Sequence, residues 1–134
     1  MKVSDIMVRD PVCVDMDTRL PEIRKLFCEN YFHHLPVIDH GRLVGIISDR
    51  DVLRVLSPFL DTPAAMERDQ ETLNRAAHQV MTRQPITVKE NDTIEKVLKW
   101  LDKVDISSVL VVNDNQEVIG IVTWRDLVRH AKFN

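Results

Sequence analysis

The chain has 134 residues, 44% of them hydrophobic and 29% charged, a globular balance that excludes a disordered or fibrous protein. Eighteen Lys and Arg against twenty-one Asp and Glu give a formal net charge of −3, so a chief role in gripping nucleic acid or an acidic membrane surface is not expected. With only three glycines, Gly41, Gly45 and Gly120, neither a GxGxxG nor a GxxxxGK[ST] phosphate loop can be built.

In chain order, the opening MKVSDIMVRD has no apolar leader segment, and a cytoplasmic protein is expected. Apolar runs such as Leu43 to Ile47 are strand-sized and far short of the ~20 residues of a membrane span. After Pro11, Val12-Cys13-Val14 reads as a short strand. Leu20, Ile23, Leu26 and Phe27 then follow helical spacing. Two apolar runs flank the polar turn Asp39-His40-Gly41, which is a hairpin signal. Ser48 closes the second strand and opens a helix carrying Val52, Leu53 and Leu56. Thr62-Pro63 resembles an N-cap followed by proline at the first helical position, so residues 63–77 are expected to form a charged helix. Cys13 and Cys28 have no CxxC or HxxxH companions and are expected to be buried, reduced thiols rather than metal ligands.

The remainder of the chain repeats the beginning. At a shift of 74, Met7 falls on Met81, Pro11 on Pro85, Val14 on Val88, Leu20 on Ile94, Ile23 on Val97 and Phe27 on Leu101. Leu35-Pro36-Val37-Ile38 likewise overlies Val109-Leu110-Val111-Val112. One residue is added in the turn Asn113-Asp114-Asn115-Gln116, where a duplication tolerates it. Beyond that turn, Gly45 to Asp51 overlies Gly120 to Asp126 in the shared pattern G-h-h-[ST]-x-R-D, with h apolar. Each copy reads β–α–β–β–α, giving an α/β (α+β) fold of two repeats at 1–56 and 77–134 joined by a helical linker at 57–76.

The repeated unit resembles the CBS domain, and the tandem resembles a CBS pair, or Bateman module. The resemblance is carried by Val3-Ser4-Asp5-Ile6-Met7, His34-Leu35-Pro36-Val37, Gly45 to Asp51 and their equivalents in the second copy. It implies two repeats packed sheet to sheet about a pseudo-twofold axis. It also implies clefts between them for an adenine nucleotide or related adenosyl ligand (AMP, ADP, ATP, NAD or S-adenosylmethionine), with no obligatory cofactor. A homodimer and a regulatory role follow from the same resemblance; catalysis is not expected, because the Ser/Asp pair has no evident triad base and the His residues are not repeated with it. The other readings are an assembly module with vacant clefts and, further off, a nucleotide-processing enzyme. Gln79-Val80 in place of Asp5-Ile6, and Leu110 in place of Pro36, depart from the pattern at the second site's periphery.

The residues give this ligand class a physical basis. Where a strand turns into a helix, first-turn N–H groups lack partners and carry partial positive charge, a seat for phosphate. The Ser48 or Thr123 hydroxyl can bond a phosphate or ribose oxygen there. Three residues on, Asp51 or Asp126 offers an acceptor-only carboxylate to the two donors of a ribose diol. The same spacing also fits a capping box, although that motif favours the longer Glu or Gln. Arg50 and Arg125 can meet phosphate or remain solvated. His34 and its counterpart Ser108 are candidate polar contacts, and Val12 and Ile86 candidates for an apolar base slot. His33 and His34, adjacent on a strand, point to opposite faces and do not chelate one metal ion. Asp49 adds negative charge where the second copy has Trp124, so polyphosphates are expected to be disfavoured at the first site, and Trp124 either stacks on a base or lies at an interface.

Overall fold

The computed structural model describes residues 1–56, 59–104 and 106–131. Ser57 and Pro58, with which the expected linker begins, lie outside the described residues, as do Asp105 and Lys132–Asn134. The elements in chain order are α1 (Val3–Ile6), β1 (Val8–Arg9), β2 (Val14–Asp15), α2 (Leu20–Glu29), β3 (His34–Asp39), β4 (Arg42–Ser48), α3 (Asp49–Val55), α4 (Glu67–Gln70), a 3-10 turn (Glu71–Asn74), α5 (Ala77–Val80), β5 (Thr82–Arg83), β6 (Thr87–Val88), α6 (Ile94–Lys103), β7 (Ser108–Val112), β8 (Val118–Thr123) and α7 (Trp124–His130). The expected β–α–β–β–α order appears twice, each time preceded by a one-turn helix and a two-residue strand that periodicity is too short to reveal.

Two four-stranded sheets result, β1-β8-β7-β6 and β2-β3-β4-β5. Their composition is the main departure from the sequence order. Strand β1 comes from the first repeat but pairs antiparallel with β8, Val8 opposite Ile121 and Arg9 opposite Gly120. Strand β5 comes from the second repeat but pairs with β4, Gly45 opposite Arg83 and Ile46 opposite Thr82. The chain accordingly divides into two compact units, one of Met1–Val12, His40–Leu43 and Gln84–Asn134, the other of Cys13–Asp39 and Val44–Arg83. Each repeat lends its leading helix and strand to the unit built on the other repeat.

Matched hydrogen bonds fix this exchange. Val3 N donates to Asp92 O (2.9 Å) and Ser4 N to Glu90 O (2.9 Å); 74 residues on, Ala77 N donates to Thr18 O (2.8 Å) and His78 N to Met16 O (3.1 Å). The apolar cores follow. Val3, Ile6 and Met7 are buried with Val88, Val97, Leu101, Val109, Val111 and Val122. Ala77 and Met81 are buried with Val14, Leu20, Ile23, Leu35, Val37, Ile47 and Val52.

The glycines of the repeated motif owe their place to this packing. A Cβ at Gly45 would strike Met81 Sδ and stand 3.0 Å from Thr82 O, and one at Gly120 would stand 2.6 Å from Met7 Sδ and 3.1 Å from Val8 O. The exchanged methionine and strand close over a bare backbone in both units. Gly41 serves the β3–β4 turn instead: with His40 at φ 50° and Gly41 at φ 81°, both central residues are left-handed, as a two-residue hairpin loop with matching twist requires. The added residue of the second copy is absorbed by Asn113, whose Oδ1 accepts from Asn115 N (2.9 Å) and Glu117 N (3.0 Å).

Four expectations are corrected. Residues 63–77 are not one helix: Thr62 turns back, its N–H and hydroxyl both donating to Phe59 O, and α4, the 3-10 turn and an extended Arg75 follow. The strands expected at Val12 and Ile86 begin only at Val14 and Thr87, where parallel pairing to β3 and β7 starts. Leu53, expected on an apolar helix face, is 73% exposed, and its equivalent in the second copy, Val128, is 64% exposed. Cys28 is exposed and Cys13 only partly buried, although burial does raise the Cys13 thiol pKa.

Candidate functional site

The four motif residues occupy two equivalent turns, one in each unit. In the first copy Ser48 is the N-cap of α3, in extended conformation at φ −98° and ψ 161°. Its Oγ accepts from Asp51 N (3.1 Å), and Asp51 Oδ2 accepts from Ser48 N (2.8 Å). Asp is thus long enough to close the capping box. The expected phosphate seat is modified by this, because one first-turn amide is already engaged by Ser48. The other carboxylate oxygen, Oδ1, lies 3.8 Å from the Arg54 guanidinium.

In the second copy Thr123 caps α7 and Asp126 is almost fully buried. Asp126 Oδ2 accepts from both Thr123 N (2.8 Å) and Thr123 Oγ1 (3.1 Å). Its Oδ1 makes no hydrogen bond among the described residues. In each copy, then, the fold holds a carboxylate by one oxygen and fixes the direction of the second. A two-oxygen acceptor held this way suits a pair of adjacent hydroxyl donors.

The outer candidates are distributed unequally. Ser108 is buried and lies opposite Thr123 in the β7–β8 ladder. His34 is half-buried, and burial lowers its pKa; the His33 ring acts in the same direction and the charges of Asp49 and Asp51 in the opposite one. Arg50 and Arg125 are exposed and form no ion pair among the described residues. Val12 is 46% exposed, whereas Ile86 packs on its unit's core.

Two features escaped the reading of the sequence. The first is a pair: His33 Nδ1 donates to Asp49 Oδ2 at 2.8 Å, across sixteen residues of chain. The second is an apolar groove of about 370 Å³ in the unit built on the second repeat, lined by Met1, Ile6, Ile94, Leu98, Trp124 and Leu127 among others. The signal for it was present in the repeat, since Leu98 and Trp124 stand where the first copy has the charged Arg24 and Asp49, each ion-paired with a neighbour. Among the described residues, no group of three or more His, Cys, Asp or Glu is placed to hold a metal ion, and no helix is long and apolar enough to cross a membrane.

Comparison with known proteins decides the family. The CBS domain matches twice, at residues 3–58 and 77–132. The chain belongs to the CBS domain family, as a tandem pair. Protein MJ1426 of Methanocaldococcus jannaschii is 33% identical over 96% of this chain and 89% of its own length. Other relatives are longer, and the chain spans only 46% of protein MJ1225 and 22% of an L-aspartate semialdehyde sulfurtransferase from the same organism. Among solved structures, the CBS domain pair of protein MJ0100, in complex with 5′-methylthioadenosine and S-adenosyl-L-methionine, superposes with a TM-score of 0.80 at 31% identity, covering 96% of this chain and 94% of that one. CBSX2 in complex with AMP superposes with a TM-score of 0.79 at 27% identity, covering 96% and 93%. The two four-stranded sheets with flanking helices are those of a CBS pair.

Proposed function

We propose that this CBS pair is a regulatory module that binds an adenosine-containing ligand at its two strand-to-helix turns. The carrying observation is the carboxylate held twice by the backbone N–H of its cap residue, Asp51 by Ser48 and Asp126 by Thr123, which leaves Oδ1 outside the cap, beside Arg54 in the first copy and without a hydrogen bond among the described residues in the second. The ribose diol bonds the carboxylate, and the Ser48 or Thr123 hydroxyl remains within reach of the sugar or phosphate. Arg50 and Arg125 meet phosphate from solvent, His34 and Ser108 supply a polar contact beside each turn, and Val12 and Ile86 border the base. The adenosyl ligands of the MJ0100 pair and of CBSX2 support this class of ligand. The proposed role is binding rather than catalysis.

A homodimer forms part of the same proposal. The groove around Trp124 exposes apolar surface, with Leu98 42% and Trp124 46% exposed. A twofold contact between copies covers this apolar surface on both.

Titration calorimetry against AMP, ADP, ATP, NAD, S-adenosylmethionine and guanine nucleotides tests the ligand class. Asp51→Asn and Asp126→Asn keep an oxygen for each cap but remove the carboxylate, so each is expected to abolish one binding event while the thermal transition stays close to wild type. Flat titrations with every adenosine ligand would overturn the proposal. The internal satisfaction of both caps favours, in that case, a purely structural role for the two Asp residues in an assembly module.

A further inference from the structure

Resting on the ligand-binding reading above, we infer that Asp49 sets the charge class of ligand accepted at the first site, favouring adenosyl groups without phosphate over nucleoside polyphosphates. Three chain segments meet at this turn: the start of β3 with His33 and His34, the end of β4 with Ser48, and the start of α3 with Asp49 and Asp51. The Asp49 side chain, 42% exposed, is tethered at the protein surface. Its backbone N–H donates to His33 O (3.0 Å) and its Oδ2 accepts from His33 Nδ1 (2.8 Å), which holds the carboxylate beside β3, where His34 feels both it and Asp51. The corresponding turn in the other unit has Ser107, Ser108, Trp124 and Asp126 in these places.

The difference is one fixed negative charge. The first turn carries Asp49 and Asp51 with Arg50 and Arg54, His33 being paired with Asp49, and the second carries Asp126 with Arg125 and Arg129, with Trp124 lining its apolar groove. A ligand that enters with three or four negative charges is repelled by the additional carboxylate, an uncharged thioether such as methylthioadenosine is indifferent to it, and a sulfonium such as S-adenosylmethionine is attracted. An exposed charge a few ångströms from the ligand changes binding by about five-fold. The two sites are therefore built for different charge classes, although they share one ribose-binding device.

Calorimetric titration with ATP, methylthioadenosine and S-adenosylmethionine tests this in the Asp126→Asn background, where the first site alone reports. Adding Asp49→Asn, which retains an acceptor for His33 and so preserves the local fold, is expected to strengthen ATP binding about five-fold while methylthioadenosine changes less than about two-fold and S-adenosylmethionine weakens. Far-UV circular dichroism establishes that the variant is folded. An equal change for ATP and methylthioadenosine, or no change for ATP, overturns the role of Asp49 and leaves the ligand-binding reading standing. Failure of the wild-type protein to bind any of the three overturns the ligand-binding reading itself, and this result is seen before any variant is made.

Discussion

Alanine at Gly45 probes the exchange of segments directly. The new Cβ would strike Met81 Sδ, and it would lie 2.9 Å from Met81 Cγ, well inside ordinary carbon–carbon contact, and 3.0 Å from the Thr82 carbonyl oxygen. The methionine is flexible but buried among core residues, and the carbonyl belongs to β5, so relief requires either a rearranged core or displacement of the exchanged strand. Overpacking of this kind costs about 1–3 kcal/mol. At Gly120 the distances are 2.6 Å to Met7 Sδ and 3.1 Å to Val8 O, so the loss there is expected to be somewhat smaller. Gly41→Ala is the control: nothing lies within 4 Å of its Cβ, and the penalty is the left-handed φ of 81° alone, about 1–2 kcal/mol.

Equilibrium urea unfolding followed by circular dichroism measures these changes as shifts in midpoint at constant slope. A double-mutant cycle then identifies their origin. Met81→Ala by itself costs about 2–5 kcal/mol, but it removes the atoms that the added Cβ would strike. The pair is expected to lose at least about 1 kcal/mol less than the sum of the single losses, while Gly41→Ala with Met81→Ala adds within about 0.5 kcal/mol. A Gly45→Ala protein as stable as wild type, or strict additivity with Met81→Ala, refutes the explanation of the motif glycine as a seat for the exchanged methionine.

Removing the hydroxyl in Ser48→Ala leaves the Asp51 amide without its cap and is expected to cost about 1 kcal/mol in the same urea assay. Because burial depresses the folded-state pKa of His34, protonation favours the unfolded chain; stability is full above the ordinary imidazole range and falls as pH drops through it. Urea midpoints measured between about pH 7.5 and 5.5 are expected to decline, and His34→Ser, which installs the second copy's residue, is expected to flatten part of that decline. Trp124→Glu places a charge in the apolar groove and is expected to shift the mass measured by size-exclusion light scattering from dimer to monomer with unchanged circular dichroism; a mass unaffected by the substitution removes this groove from the dimer contact.

The duplication, the strand–helix order and the four motif residues were legible in the sequence because each depends on periodicity or on short spacing. Helix α6 is an example: Ile94, Val97, Leu98 and Leu101 follow helical spacing, and Val97 and Leu101 are core residues, whereas Leu98 is 42% exposed at the groove. The elements that escaped are those whose reason lies far along the chain. The segments 3–9 and 77–83 are too short to show a period, and they fold as they do because β8 and β4 present an open edge and a bare glycine. The capping role of Asp51 was underrated from side-chain length alone, whereas the extended Ser48 backbone brings its N–H to within 2.8 Å of the shorter acid. The linker misled for the opposite reason: Thr62-Pro63 is a sound local helix start, but the Thr62 hydroxyl turns back to Phe59.

Helix α7 joins the two proposed activities of its unit. It has only seven residues, and within its first turn it carries Trp124 at the apolar groove and Asp126 at the proposed ligand turn. The strand that leads into it carries Gly120 beneath Met7, and α1, which ends at Ile6 next to that methionine, lines the same groove. A ligand that draws on Asp126 therefore acts on the same short helix that a second copy would touch, and any preference for one position of α7 is felt at both. Linkage requires the effect to be reciprocal, so dimerisation must alter ligand affinity by the same factor by which ligand alters dimerisation. In the other unit the equivalent helix begins with Asp49, tied to His33, in place of a groove-lining tryptophan. Coupling between ligand and dimer is accordingly expected through Asp126 and not through Asp51. Measuring the dimer dissociation constant with saturating ligand in the Asp51→Asn and Asp126→Asn proteins separates the two, and an equal loss of coupling in both would show that the groove is not what conveys it.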